Sequence, residues 1–134
     1  MATIKSFSEL HCWQIAREVN QELFDIIHNS PQFKLNFGFK DQILRSSGSI
    51  MDNIAEGFGR GGNNEFVLFL GYANGSCCEV QSQLIRAEDF GYISSEIRLN
   101  LNQKVNNIGS MITNLRKHIQ SSSLKGVKYN KGEK

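Results

Sequence analysis

The segment around residues 64–90 constrains the fold more strongly than any other part of the sequence. Its apolar side chains recur at alternating spacings of 4 and 3 residues, which keeps one stripe of a helix turned toward a neighbouring helix. A repeat of this kind is typical of coiled coils and helical bundles. The stripe comprises Phe66, Leu70, Ala73, Cys77, Val80, Leu84 and Ala87.

Three further segments show a helical period. The first begins at a predicted N-cap, Ser8, and ends near Pro31. The next spans about 38–56, and the last follows an N-cap at Ser94 or Ser95. The inward face of the first helix is predicted to contain Ile15, Ala16, Val19, Leu23, Ile26 and Ile27, and that of the second Ile43, Ser47, Ile50 and Ile54. The inward face of the last helix is predicted to contain Ile97, Leu101, Val105, Ile108, Ile112, Leu115 and Ile119.

The connections between these segments indicate how the helices are arranged. Residues 31–37 and the glycine-rich residues 57–62 are predicted to be connections, and short connections place neighbouring helices antiparallel. The sequence therefore predicts an all-α domain over residues 1–120, folded as an antiparallel up-down-up-down four-helix bundle. Residues 121–134 are predicted to form a mobile, basic tail, since they carry one acidic residue and four lysines, Lys125, Lys128, Lys131 and Lys134.

Small residues inside two of the helices predict where backbones approach closely. Residues 46–49 are three serines and a glycine, so the middle of the second helix is slim. Gly71 and Gly75 lie inside the third helix, where each costs about 1 kcal/mol of helix propensity relative to alanine. We expect these two glycines to face the slim part of the second helix.

The patterns that mark metal and nucleophile sites are absent from the sequence. His11, His28 and His118 are scattered with no two at i, i+4, and neither a C-x-x-C nor a Glu-x-x-His spacing occurs. Cys77 and Cys78 have no basic neighbour in sequence that would lower their pKa. We therefore expect no catalytic residue, no metal and no cofactor, and hence no enzyme.

The run Gly57–Gly62 matches G-x-G-x-x-G literally. The dinucleotide fingerprint needs a strand before the glycines, whereas a predicted helix precedes them here. A turn between two helices is therefore the favoured interpretation.

Composition predicts the compartment. No run of about 18 apolar residues and no signal peptide is visible, which predicts no membrane span. Three cysteines, Cys12 and the adjacent Cys77 and Cys78, form a poor disulfide framework. A cytoplasmic protein is expected.

Polar residues of the second and third helices leave two interpretations open. Arg45, Asn53 and Glu56 lie at i, i+8 and i+11, near one face of the second helix, and Glu79 and Arg86 lie at a similar depth on the third. They could form a structural ion-pair and hydrogen-bond network between helices. They could also form an oligomer contact or an anion site.

Basic side chains provide candidates for nucleic-acid contact. A shared basic stripe would be the electrostatic footprint of nucleic acid, and a mixed-charge solvated surface is the alternative. Residues 1–120 carry eleven basic and twelve acidic side chains, which favours the mixed surface. The candidates are Lys40, Arg60, Arg86, Arg98, Lys104, Arg116 and Lys117, with Lys125 and Lys128 in the tail.

The central motif resembles a bacterial four-helix bundle family, the 23S rRNA intervening-sequence proteins, which are sometimes labelled ribosomal proteins. It is also similar to the accessory variability proteins of diversity-generating retroelements. Met51 departs from this pattern, since proline is common there. The likeness covers roughly residues 7–119 and rests on Trp13-Gln14, Pro31, the run Gln42–Gly57, Gly59-Arg60, Phe66, Phe69-Leu70, Ala73–Ser76 and Glu79.

The resemblance implies an up-down-up-down bundle that assembles as a cyclic pentamer. The retroelement relatives bind nucleic acid and a reverse transcriptase through basic surfaces, and the family provides no catalytic residues. The leading hypothesis is a homo-oligomer that binds RNA, DNA or a nucleoprotein partner through surface lysines and arginines. The alternative is a protein-interaction scaffold without nucleic-acid affinity. Structural or interface positions implied by the motif are Arg45, Asn53, Glu56, Arg60 and Glu79.

Overall fold

The computed structural model describes residues 3–121, and every regular element in it is helical. The prediction of an all-α fold is confirmed. The predicted tail lies outside the described residues, except for Ser121. Within residues 3–121, no helix is both long and apolar enough to cross a bilayer. A 3₁₀ turn at Phe7–Glu9 precedes α1 (His11–His28), α2 (Pro31–Leu35), α3 (Phe37–Gly59), α4 (Asn63–Asp89) and α5 (Ser95–Ser121).

The predicted apolar stripes form the core. All seven stripe residues of α4 are buried, and so are the four predicted positions of α3. On α1, Ile15 and Ile26 are half-buried at the edge of the stripe, while the other four positions are buried. On α5, Ile97 is half-buried and the remaining six residues are buried. The period of 3 to 4 residues therefore located the core correctly on each long helix.

The four long helices each pack against two others. α3 contacts α1 and α4, and α5 contacts α4 and α1. Two hydrogen bonds give the relative directions of α3 and α4: Ser76 Oγ donates to Ser49 Oγ at 2.9 Å, and Arg86 Nη1 donates to Gln42 Oε1 at 3.4 Å. The earlier residue of α3 thus meets the later residue of α4, so these two helices run in opposite directions.

The start of α1 differs from the prediction. Ser6, not Ser8, accepts a capping hydrogen bond, and it caps the short 3₁₀ turn through the Ser8 N–H at 3.2 Å. Leu10 occupies the N-cap of α1 and provides no side-chain cap. Leu10 is 1% exposed, so burial of its side chain in the core takes the place of a polar cap.

Two predicted connections are shorter than expected. Residues 31–35 form α2, because Pro31 fits the first turn of a helix and Phe33 anchors that turn in the core. The helix predicted to stop at Glu56 continues to Gly59, so half of the glycine cluster is helical. The turn itself falls at Gly61, whose φ of 86° is in the region that glycine adopts without strain.

The closest backbone approach lies at a different glycine from those predicted. A Cβ on Gly75 would meet nothing within 4 Å, and one on Gly71 would meet the Arg116 guanidinium of α5 at 3.4 Å. The prediction that these residues face the slim part of α3 was wrong. A Cβ on Gly57 would instead lie 2.7 Å from the Cβ of Phe69, so it is the last turns of α3 that approach α4 closely.

A carboxylate fixes the turn between α4 and α5. Ser95 Oγ donates to Glu88 Oε2 at 2.7 Å, and Arg98 Nε donates to Glu88 Oε1. The hydrogen bond from Ser95, followed by the one from Arg98, holds the pKa of Glu88 below its ordinary value. Both donors favour the charged carboxylate over the protonated acid.

We expect Glu88→Gln to lower the free energy of unfolding at neutral pH, with the loss shrinking as the pH falls below the ordinary pKa of a glutamate. Because the pKa is lower in the folded chain, the carboxylate contributes fully above its ordinary pKa. That contribution disappears as the pH falls through the folded-state value. Urea unfolding followed by circular dichroism at several pH values measures it. Glu18→Gln, at an exposed carboxylate of α1, is the control, and an equal pH dependence in both variants would contradict the prediction.

Candidate nucleic-acid interface

Four aromatic rings form one end of the molecule, where the α2–α3 corner meets the α4–α5 connection. Buried Phe33 stacks on Phe39 at 5.6 Å and on Tyr92 at 5.0 Å between ring centroids, and Phe90 packs edge-on against Phe39 at 5.4 Å. Asn36 Nδ2 donates to the Tyr92 hydroxyl at 3.0 Å. The same side chain accepts from the Phe39 N–H at 3.2 Å and so caps α3. The rings and this amide join α2 and α3 to the α4–α5 connection.

Two aromatic side chains at this end, Phe37 and Phe90, face solvent and each lies against a cation. The Phe37 ring is 66% exposed and carries the Lys40 ammonium 5.1 Å from its centroid. The Phe90 ring is 47% exposed, and the Arg86 guanidinium lies 5.8 Å from it and 4.7 Å from Phe39. We call Phe37, Lys40, Arg86 and Phe90 the aromatic–cation corner.

The two cations of the aromatic–cation corner are not neutralised by carboxylates of residues 3–121. Lys40 and Arg86 form no ion pair there, and the hydrogen bond of Arg86 goes to the neutral amide of Gln42. Cations held against exposed rings can contact phosphates while the rings stack on bases. The corner therefore has the chemistry required to bind a single nucleic-acid strand.

Three other predicted cations are engaged by carboxylates. Arg60 Nη2 donates to Glu56 Oε2 at 2.7 Å, and this bond raises the pKa of Arg60. Arg98 pairs with Glu88 as described above. Lys104 of α5 pairs with Glu22 of α1. These three are therefore poorly placed to neutralise phosphates.

The remaining predicted cations lie elsewhere. Lys117 is exposed on α5, and the Arg116 guanidinium lies against Gly71 of α4. Lys125 and Lys128 fall outside the described residues. The structure thus distributes the seven described candidates over several faces, and it sets Lys40 against Phe37 and Arg86 against Phe39 and Phe90.

The predicted polar network occupies three places. Arg45 pairs with Asp41 one turn away on α3, at 2.7 Å, and it shares a polar cleft of about 360 Å³ with Glu79 of α4. Asn53 Nδ2 donates to the carbonyl and hydroxyl oxygens of Ser49, both at 2.9 Å. Glu56 binds Arg60 at the far end of α3.

Two of the three thiols, Cys12 and Cys77, are buried in the core, and Cys78 is exposed. Burial in the core, followed by the neighbouring thiols Cys78 and Cys12, raises the pKa of Cys77 to about 12. Cys77 therefore keeps its proton at neutral pH, and a thiol is a poor nucleophile. Across residues 3–121, no three histidine, cysteine, aspartate or glutamate side chains are grouped so that they could hold a metal ion.

Sequence reasoning identified Lys40 and Arg86 but missed Phe37 and Phe90. A local signal for both rings exists in the sequence. Phe37 precedes Lys40 by three residues and Arg86 precedes Phe90 by four, which are the spacings that bring helical side chains together. The exposure of the two rings could not be predicted from these spacings, because it depends on how α2 and the α4–α5 connection pack against the long helices.

Comparison with known proteins places these residues in a family. Residues 8–114 match the family model described as 23S rRNA-intervening sequence protein. This chain belongs to that family. The aromatic–cation corner lies within the matched residues of this 23S rRNA-intervening sequence family member.

A solved structure has a similar fold. It is the crystal structure of a protein of unknown function from the S23 ribosomal protein family of Bacteroides thetaiotaomicron. The two chains are 22% identical, with a TM-score of 0.72 over 79% of this chain and 95% of that chain. Among curated proteins, none matches this sequence.

Proposed function

We propose that this protein is a non-enzymatic, homo-oligomeric up-down-up-down four-helix bundle that acts in the cytoplasm and binds RNA through the aromatic–cation corner. The observation that carries the proposal is the pairing of exposed Phe37 and Phe90 with Lys40 and Arg86, whose charges no described carboxylate neutralises. The name of the family, which refers to a 23S rRNA intervening sequence, also supports an RNA ligand.

The chemistry of the corner favours unpaired RNA over duplex. A ring can stack only on a base whose face is accessible, so loops, bulges and single strands are the expected targets. DNA strands could stack on the same rings, since every base has a π-face. The near-neutral charge of residues 1–120 disfavours binding to phosphates alone.

Fluorescence anisotropy with a labelled RNA hairpin tests this function. We expect binding at micromolar protein to a hairpin with an unpaired loop, and much weaker binding to a blunt duplex of the same length. The logarithm of the binding constant should fall with the logarithm of salt by roughly 0.7 per phosphate contacted. No binding to either RNA at low salt would contradict the proposal.

The oligomeric part of the proposal rests on the outer face of α4. Leu68 and Tyr72 lie one turn apart and are 50% and 52% exposed. A Cβ on Gly75, one turn further along, would meet nothing within 4 Å. Apolar groups left exposed beside an open glycine suit contact with another copy of the chain. A pentamer is the state that the resemblance to retroelement accessory proteins implies.

We expect sedimentation to give a species several times the chain mass of 15.1 kDa. Leu68→Glu should shift that species toward the monomer, because the contact would then have to bury a charge. Gln21→Glu, at an exposed position of α1, is the matched control and should leave the mass unchanged. A wild-type monomer at all concentrations would contradict the oligomeric proposal.

A protein-interaction scaffold is the second candidate function. The same exposed Leu68 and Tyr72 favour it, since apolar side chains on a helix can also receive another protein. A reverse transcriptase is the partner that the resemblance to retroelement proteins implies. Recovery of one specific protein partner after nuclease treatment, without RNA binding by the purified chain, would favour this candidate over the first.

A further inference from the structure

The first turn of α1 and the last turns of α5 lie at the same end of the bundle. Glu22 pairs with Lys104, and Leu10 and Leu115 line one pocket, so α1 and α5 run in opposite directions. The aromatic–cation corner is at the other end, where α1 finishes and α5 begins. The segment that follows α5 therefore starts beside the residues that precede α1.

A small pocket at this end has mainly apolar walls. Its volume is about 230 Å³. Sites for small molecules usually have volumes of roughly 300–1,000 Å³, so this pocket suits one or two side chains of a peptide segment better. Two exposed polar residues form its rim, and the other four lining residues are apolar. The lining residues are Leu10, His11, Cys12, Met111, Asn114 and Leu115.

The backbone next to this end shows one half of a strand pairing. Thr3 forms an isolated β-bridge, whereas none of residues 4–121 is in a bridge or a strand. No backbone hydrogen bond joins Thr3 or Ile4 to those residues either. Ile4 is 4% exposed while Thr3 and Lys5 are exposed, which is the alternation of a strand with one face on the core. A bridge requires a second extended segment, and residues 1 and 2 are too close in sequence to provide it.

The segment after α5 has the reach and the side chains for this position. Leu115 precedes Ser121 by six residues, which is about 9 Å of helix. Val127 follows Ser121 by six residues, which allows about 20 Å of extended chain. Val127 and Tyr129 flank Lys128, a pattern typical of a strand with one apolar face. Leu124 is the third large apolar residue of this segment.

We propose that residues 124–129 pair as a β-strand with residues 3–5 and bury their apolar side chains in the pocket between α1 and α5. Removal of apolar surface from water stabilises the contact. The carboxylate of Glu9, which accepts from the Lys5 N–H at 3.2 Å, lies beside the strand and has the opposite charge to the lysines of the tail. The contact does not depend on RNA binding, since no residue of the aromatic–cation corner takes part.

Hydrogen–deuterium exchange read by mass spectrometry tests the inference. The N-terminal peptide that contains Thr3 and Ile4 should exchange roughly tenfold more slowly in the full chain than in a variant that stops after Ser121, because pairing protects its amides. Val127→Asp with Tyr129→Asp should remove this protection, since carboxylates would have to enter an apolar pocket. The matched control adds the same charge at polar positions of the tail, as Ser122→Asp with Asn130→Asp, and should keep the protection.

Met111→Lys tests the pocket without changing the tail. Met111 is half-buried, so a lysine at this rim position should leave the bundle folded and yet repel the basic segment. Asn100→Lys, at an exposed position of α5 far from the pocket, is its control. Circular dichroism of each variant checks its helix content. Equal exchange in the full and truncated chains would overturn the pairing, and protection that survives both Met111→Lys and the apolar double variant would overturn the assignment to the pocket.

A mixing experiment decides which copy of the chain provides the strand. Truncated chains labelled with ¹⁵N are unfolded together with unlabelled full chains and refolded. We expect the protection of Thr3 to be confined to the unlabelled full chains, because the reach of the segment suffices for its own pocket. Equal protection in the labelled chains would show that the tail of a second copy occupies the pocket, and it would overturn the proposal.

Discussion

Replacing Gly57 by alanine should destabilise the fold by about 2 kcal/mol, although alanine is the better helix former. The added Cβ would lie 2.7 Å from the Cβ of Phe69 and 3.0 Å from the Phe66 ring. The Cβ of Phe69 is attached directly to the backbone of α4, so relief requires the two helices to move apart. Overpacking of this kind costs up to about 3 kcal/mol, and helix propensity offsets about 1 kcal/mol of it.

The same substitution at Gly48 provides the matched control. Gly48 is also inside α3, but a Cβ there would meet nothing within 4 Å. Only the propensity gain remains, so Gly48→Ala should stabilise the protein by up to about 1 kcal/mol. Urea midpoints at one fixed protein concentration measure both variants, because assembly would otherwise change the apparent stability. Two shifts of the same sign would contradict the prediction.

Gly57 also shows what the sequence could predict about packing and what it could not. The 3 to 4 residue period identified the buried face of each long helix, because burial of one stripe is a local property of the pattern. The site of closest approach depends on how two helices cross, which no single helix encodes. Gly71 and Gly75 are the residue type expected where two helix backbones approach closely. Gly71 nevertheless packs against the side chain of Arg116, and Gly75 faces open space.

The candidate interface was predictable only in part, for a related reason. Basic residues are visible in the sequence, but the carboxylates that neutralise them come from other turns and other helices. Lys104 meets Glu22 of α1, a contact that spans 82 positions of the chain. The short helix α2 was also not predicted, because it depends on the burial of Phe33 rather than on a helical period. Non-local contacts therefore decide which cations remain available.

Removing both exposed rings of the aromatic–cation corner should have the largest effect on RNA binding. Each stacked base contributes roughly 1–3 kcal/mol, so Phe37→Ala with Phe90→Ala should weaken binding to a hairpin with an unpaired loop by roughly thirtyfold or more. Phe37 lies outside the core at 66% exposed, whereas Phe90, at 47%, also packs against the ring of Phe39. The double variant should fold with some loss of stability, which urea unfolding measures alongside the RNA affinity. Fluorescence anisotropy with the labelled hairpin measures the loss.

Phe24→Ala is the control for exposed aromatic surface in general. Its ring is 55% exposed on α1 and stacks on His28 at 5.9 Å, without a lysine or arginine on its face in the described chain. Its loss should leave RNA affinity unchanged. Lys40→Ala should act differently from the ring variants, lowering the salt slope by about one phosphate contact and weakening all RNA sequences alike. Equal losses of RNA affinity in Phe24→Ala and in the double variant would contradict the prediction. They would show that RNA adsorbs to any exposed apolar surface, because a specific stacking site requires rings that carry a cation.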